Sequence, residues 1–153
     1  MLDIRLVAVG PVRDLNLRAA CVEYEKRLKP FARISITEVK PEPFRDASRE
    51  DAARRAEGER VLAALARYPV DTVRLLSESG EAFNSLTFAQ SVSAGPVVFV
   101  IGGALGWSDE VLAAPYKRVS LSPLTFPHEL ARLVLFEQLY RAATIGAGKR
   151  YHY

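Results

Sequence analysis

Residues 96–101, Pro-Val-Val-Phe-Val-Ile, are apolar at every position and end abruptly at Gly102-Gly103. A strand with one wet face alternates polar and apolar residues. An unbroken apolar run of strand length marks a strand covered on both faces, the setting of a parallel strand in an α/β fold. A chain that holds such a strand must supply helices to both sides of a sheet and enough residues to connect parallel neighbours. With 153 residues, 49% hydrophobic and 25% charged, this chain can do both as one domain, and its composition is wrong for a disordered protein.

Strand and helix signals alternate along the whole length. Residues 4–9 are β-rich and stop at Gly10-Pro11. Asp14 suits a helix N-cap, and Leu17, Cys21, Tyr24 and Leu28 keep helical spacing up to Pro30. Residues 31–39 alternate as a half-buried strand does, and Pro41-Glu42-Pro43 breaks them. A long charged helix is expected over 46–68. Ser48 and Asp51 stand in capping-box spacing, Val61, Leu62 and Leu65 form an apolar stripe, and residues 46–60, with both signs of charge interspersed, read as a solvated face. A strand at 72–76, a helix at 85–94 capped by Ser85 and the strand at 96–101 follow. Ser108-Asp109-Glu110 then opens a helix, Val119 and Leu121 lie in a short strand, and a final helix covers 127–142. Five strands alternating with helices predict an α/β domain, a mainly parallel sheet flanked by helices, with residues 1–153 as a single unit.

In the last helix, Leu130, Ala131, Leu133, Val134, Leu135, Phe136, Leu139 and Tyr140 cover nearly the whole circumference. One sheet face cannot bury such a helix on most sides, so a second copy of the chain is the expected cover. Other classes are excluded more simply. No apolar stretch approaches the ~18 residues that span a bilayer, and the N-terminus lacks a secretory pattern, so a soluble, cytoplasmic protein without membrane contact is expected. One cysteine, Cys21, and two histidines do not make a zinc cage, and no metal is expected. Cys21 sits on a helical apolar stripe as core filler. Ser122, His128 and Asp109 lack the nucleophile-elbow pattern of a serine hydrolase.

Ligands of open α/β sheets bind beyond the carboxyl ends of the strands. Three loops there stand out: Leu75-Leu76-Ser77-Glu78-Ser79-Gly80, then Ile101-Gly102-Gly103-Ala104-Leu105-Gly106-Trp107-Ser108, then Leu121-Ser122-Pro123-Leu124-Thr125-Phe126-Pro127-His128. The glycine loop is neither a dinucleotide fingerprint nor a phosphate-binding P-loop, and taken alone a plain strand-to-helix turn explains it as well as a ligand loop does. Charge points elsewhere. The net charge is +3, and the segment 117–153 carries Lys117, Arg118, Arg132, Arg141, Lys149 and Arg150 against only Glu129 and Glu137. The tail Lys149-Arg150-Tyr151-His152-Tyr153 joins cations to rings, as proteins do where they hold phosphates and stack bases, although a solvated, frayed terminus has the same composition.

In order and spacing, Ile101-Gly102-Gly103-x-x-Gly106, Leu121-Ser122-Pro123-Leu124-Thr125-Phe126-Pro127-His128, Glu137-Gln138-Leu139-Tyr140-Arg141-Ala142 and the Tyr151-His152 terminus resemble the RlmH family of SPOUT methyltransferases. That resemblance spans the chain and is densest in its last third. It implies a C-terminal trefoil knot with the cofactor pocket within about 72–153, a homodimer, and S-adenosylmethionine as cofactor. It also implies methylation of N3 of a pseudouridine in 23S ribosomal RNA, on the free RNA or the ribosome. A SPOUT enzyme acting on another RNA and a non-catalytic RNA-binding module are the alternatives. Carried over by position, Leu76, Gly102, Leu121, Ser122, Pro123, Leu124, Thr125 and Phe126 would hold the cofactor. Arg132, Arg141, Lys149, Arg150, Tyr151 and Tyr153 are assigned to RNA, and His152 to removal of the imide proton. The residues offered near the pocket include no carboxylate.

Overall fold

A computed structural model describes residues Met1–Tyr153. The strands β1 (Leu2–Val9), β2 (Ala32–Val39), β3 (Val73–Ala82), β4 (Val97–Ile101) and β5 (Lys117–Ser120) form one sheet in the order β2-β1-β4-β3-β5, with every pairing parallel. The helices α1 (Leu15–Leu28), α2 (Glu50–Leu65), α3 (Ser85–Ser93), α4 (Asp109–Ala113) and α5 (His128–Gly146) flank it. The apolar strand at 96–101 is β4, at the centre, and all five of its residues are buried.

The two-residue period of a strand divides the core. Val97, Phe99 and Ile101 of β4 join Ile4, Leu6 and Ala8 of β1 beneath Cys21 and Leu28 of α1, Phe88 and Val92 of α3, and Leu135, Phe136 and Leu139 of α5. Val98 and Val100 join Val7 and Val9 on the opposite face, against Val61 and Leu65 of α2 and Val111 of α4. Cys21 is buried and unbridged, as its place on the α1 stripe implies.

Local signals placed the elements well and their ends less well. Asp14 caps α1, accepting from Asn16 N and Leu17 N at 2.9 Å, and Ser108 caps α4. Before α2, Asp46 rather than Ser48 is the acceptor, taking the Ser48 amide at 3.0 Å into a short 3-10 turn over Ala47–Arg49. Asn84, not Ser85, caps α3, in a reciprocal box with Thr87. The larger departure is α2. Ala53, Glu57, Gly58, Val61 and Leu65 are all buried, so one side of this charged helix lies on the sheet instead of in solvent. Apart from Glu57, its charges lie towards the other side, which is why they are interspersed with the buried positions.

β3 runs further than its apolar part suggests. Leu76 and Glu81 both pair with Val119 of β5, so residues 77–80 leave the ladder between them. Gly80 closes this excursion against the β5 backbone: a β-carbon there would lie 2.6 Å from the Arg118 carbonyl carbon and from Val119 N. Backbone cannot move aside as a side-chain tip does. Gly80→Ala should therefore lower stability by about 2–3 kcal/mol in urea unfolding, despite alanine being the better strand residue.

Glu57 makes the stability of the fold depend on pH. Only 6% exposed, its carboxyl is pushed above the usual carboxylate range by burial, against the opposing pull of the Glu42 amide, Arg60 and His128. The folded chain thus holds this proton more tightly than the unfolded chain. The penalty for ionising it is absent below the ordinary glutamate pKa and grows as pH rises through the raised value. Thermal melts should find Glu57→Gln more stable than the wild type at about pH 8, with the difference gone by about pH 4.

Candidate active site

The carboxyl ends of β3, β4 and β5 open into one cleft of about 690 Å³, within the range of small-molecule sites. Its walls are the three loops singled out in the sequence. Leu76, Gly102, Leu121, Ser122, Leu124, Thr125 and Phe126 all line it; Pro123 does not. The loops are tied to one another. Trp107, in the glycine loop, donates its indole N–H to the Leu76 carbonyl at 3.0 Å and lays its ring along Gly102, where a β-carbon would meet ring atoms at 3.4–3.5 Å. Gly106 N reaches the Gly103 carbonyl at 3.1 Å, and Arg54 of α2 donates to the Leu105 carbonyl at 3.0 Å. In the third loop the Ser122 hydroxyl accepts the Leu124 amide at 3.0 Å and makes a tight turn. That turn leaves Leu124 72% exposed, a large apolar side chain at the mouth of an apolar-walled cleft.

α5 begins at the cleft with His128, and Pro127 before it supplies no side-chain cap. Of the two histidines only this one lines the cleft. One turn along, Arg132 departs from its RNA assignment. It is 6% exposed, paired with Glu38 at 2.7 Å and donating to the Gly10 carbonyl at 2.8 Å, so its guanidinium bolts α5 to the ends of β1 and β2. An internally committed cation has no face left for a phosphate.

The remaining assigned residues gather at the other end of α5. Thirteen residues separate His128 from Arg141, about 20 Å at the helical rise of ~1.5 Å per residue. There Tyr151 packs edge-on against Tyr140, with ring centroids 4.8 Å apart, beneath the Arg141 guanidinium and donates to Glu137 at 3.1 Å. Burial and the bonds to Tyr24 and Glu137 push its phenol up to about 12, so it stays a donor. Half-buried Tyr151 is thus the anchor of the tail. His152 is exposed, with Nδ1 3.4 Å from Arg141 Nη1, and Arg150 and Tyr153 are exposed beside it, the latter at 99%. Lys149 lies over the Phe31 ring at 4.9 Å. The tail is a cationic, aromatic cluster packed along α5 at Glu137, Tyr140 and Arg141, and none of its residues lines the cleft of its own chain.

Carboxylates do lie close by, contrary to the sequence reading. Glu78 lines the cleft itself. Glu57 sits behind the glycine loop, and a β-carbon on Gly103 would be 2.8 Å from Glu57 Oε2. Its position on a charge-rich helix concealed it; only its (i, i+4) spacing to Ala53 and Val61 hinted at the buried side.

The family model described as "Predicted SPOUT methyltransferase" matches residues 2–152. The putative ribosomal RNA large subunit methyltransferase H of Methanoregula boonei is 40% identical over 161 residues, covering 99% of both chains. The ribosomal RNA large subunit methyltransferase H of Nitratidesulfovibrio vulgaris is 42% identical over 161 residues and covers both chains completely. Among solved structures, TrmJ from Z. mobilis ZM4 superposes with a TM-score of 0.55 at 16% identity, over 94% of this chain and 70% of that one. A probable rRNA-methyltransferase from Porphyromonas gingivalis gives 0.53 at 16%, over 95% and 70%. The structural likeness speaks to the fold alone. The full-length sequence match goes further, and the chain belongs to the RlmH family of SPOUT methyltransferases.

Proposed function

We propose that this chain, as a single domain with its segment 72–153 threaded into a trefoil knot, transfers a methyl group from S-adenosylmethionine to N3 of a pseudouridine in 23S ribosomal RNA. The observation that carries the reading is the meeting of three separate loops in one cleft at the carboxyl ends of β3, β4 and β5. The residues present fit the cofactor. Leu76, Leu121 and Leu124 offer apolar contact to a flat adenine, the loop amides offer hydrogen bonds, and Gly102 admits close backbone approach. Bound there, the cofactor supplies a methyl group already activated on a sulfonium, which needs no metal. The chain's task is to place N3 in line with that methyl, exclude water and receive the imide proton.

Homodimerisation completes the site in this reading. Leu130, Leu133 and Val134 of α5 are only half-buried, and Leu86 of α3 is 53% exposed, which leaves apolar surface for a second copy. A tail that does not line its own cleft can serve the cleft of the other protomer instead. Arg141, Lys149 and Arg150 then hold RNA phosphates, Tyr153 stacks, Tyr151 anchors the tail, and His152 is the exposed base that takes the proton. No helix is long and apolar enough to cross a membrane, and an enzyme of ribosomal RNA would work in the cytoplasm.

Titration with S-adenosylhomocysteine should show saturable binding, lost in Gly102→Val, whose side chain would meet the Trp107 ring; no heat from the wild type would leave an RNA-binding module. Nucleoside mass mapping of rRNA from a deletion strain should lose one methylpseudouridine and regain it on complementation. Sedimentation should give twice the 16.9 kDa chain mass. Removal of residues 149–153 should abolish transfer while cofactor affinity stays within a few fold. His152→Ala alone should slow turnover by ~10² if the ring is the general base.

A further inference from the structure

We infer that a second cavity, beside the cofactor cleft and floored by Glu57, receives the base to be methylated and reads the ring N1–H that pseudouridine has and uridine lacks. The inference rests on the reading above that the target is a pseudouridine.

This cavity, of about 510 Å³, shares Gly103, Ala104 and His128 with the cofactor cleft, so one ring can face both. In a pyrimidine, N1 and N3 flank C2 and point away from each other by about a third of a turn. A base with N3 turned to the cleft therefore presents N1 to a neighbouring wall. Glu57 is on that wall. Its Oε1 accepts the Glu42 amide at 3.1 Å, while Oε2 is buried and has no partner at all. A buried carboxylate oxygen left unpaired costs stability, and such costs concentrate at ligand sites. The raised pKa has the same origin, and a donor from a ligand would relieve it. Gly103 keeps side chain away from Oε2: the β-carbon it lacks would sit 2.8 Å away, at hydrogen-bond distance. The terminal torsion of a glutamate is soft, so a small turn of the whole carboxyl can aim the free oxygen at an incoming N–H with Oε1 still within reach of the Glu42 amide.

The rim suits the rest of a nucleotide. Phe44 is 41% exposed, a ring available for stacking on an extruded base, and Arg13 and Lys40 are exposed cations for the flanking phosphates. Arg60 holds the floor in place from behind by bonding the Glu42 carboxylate and the Lys40 carbonyl, the latter at 2.8 Å. The chemistry then discriminates between isomers. Pseudouridine joins its sugar through C5 and leaves N1 protonated, whereas uridine joins it through N1. A buried acceptor built for an N–H rejects the isomer that cannot supply one, far more sharply than shape alone would.

The test compares kcat/KM on ribosomes carrying either pseudouridine or uridine at the target position, with S-adenosylhomocysteine affinity and Tm as controls for folding. The wild type should prefer pseudouridine by about 100-fold or more. In Glu57→Gln the amide oxygen keeps the Glu42 N–H and the amide nitrogen meets N1–H donor to donor. Transfer to pseudouridine should fall by about 10–100-fold and the preference should shrink to a few fold. Phe44→Ala should lower both rates alike, because stacking does not see N1–H. Equal loss on both ribosomes in Glu57→Gln, no loss on either, or a wild type without preference would overturn the role of Glu57. A wild type that binds S-adenosylhomocysteine yet methylates neither ribosome would remove the reading of the target itself.

Discussion

The two-sided burial of β4 is the constraint on which the rest of this molecule depends. A strand with no polar face can stand only where both sides are covered and both edges are paired, so it takes the centre of the sheet, between β1 and β3. Its alternating side chains then build two cores at once, one beneath α1, α3 and α5 and the other beneath α2 and α4. Parallel pairing follows from helices on both faces, and parallel pairing sends the strands' carboxyl ends to one edge. The glycine loop after β4 therefore opens beside the loop after β3, and the loop after β5 closes the cleft on the far side of β3.

Rigid contacts convert that proximity into a defined cleft. Trp107 bonds the Leu76 carbonyl and closes the glycine loop onto β3, and Arg54 grips the same loop from α2. α2 thus does more than cover one face. It restrains the glycine loop from outside and places Glu57 behind it, and the cleft and the neighbouring cavity share Gly103 and Ala104 of that loop and His128 of α5. α5 links the site to the opposite end of the molecule. His128 stands at the cleft, Arg132 pins the helix to Glu38 and the Gly10 carbonyl, and Arg141 holds the tail through Tyr151. A cleft and a cationic, aromatic terminus set apart along one helix can meet across a two-fold axis, which brings the far end of one chain to the near end of another.

The limits of reading the chain as a string have physical causes. Capping is decided by which oxygen reaches an amide, and Asp14 was legible because nothing competed with it. Asp46 and Ser48 stood two residues apart with equal chemical claims, and Asn84 stood next to Ser85. The burial of Glu57 was hidden because a helix face is an angle, and the charged residues around it advertised solvent on every side. Arg132 looked like one cation among six in a basic segment. Its partners lie far away in sequence, at Gly10 and Glu38, and no local pattern records them.

The amino-acid order alone was enough for the alternation of elements, the central strand, the parallel sheet and the three loops that line the cleft, because each rests on local periodicity and on turn residues next to one another in the chain. It also determined the family, through motifs whose order survives without any knowledge of their contacts. The packing of distant segments decided which charges face inward, that a carboxylate stands behind the glycine loop, and that the tail docks along α5 and does not line the cleft of its own chain. Those outcomes depend on distances between segments far apart along the chain, and burial, pairing and pKa are properties of such distances.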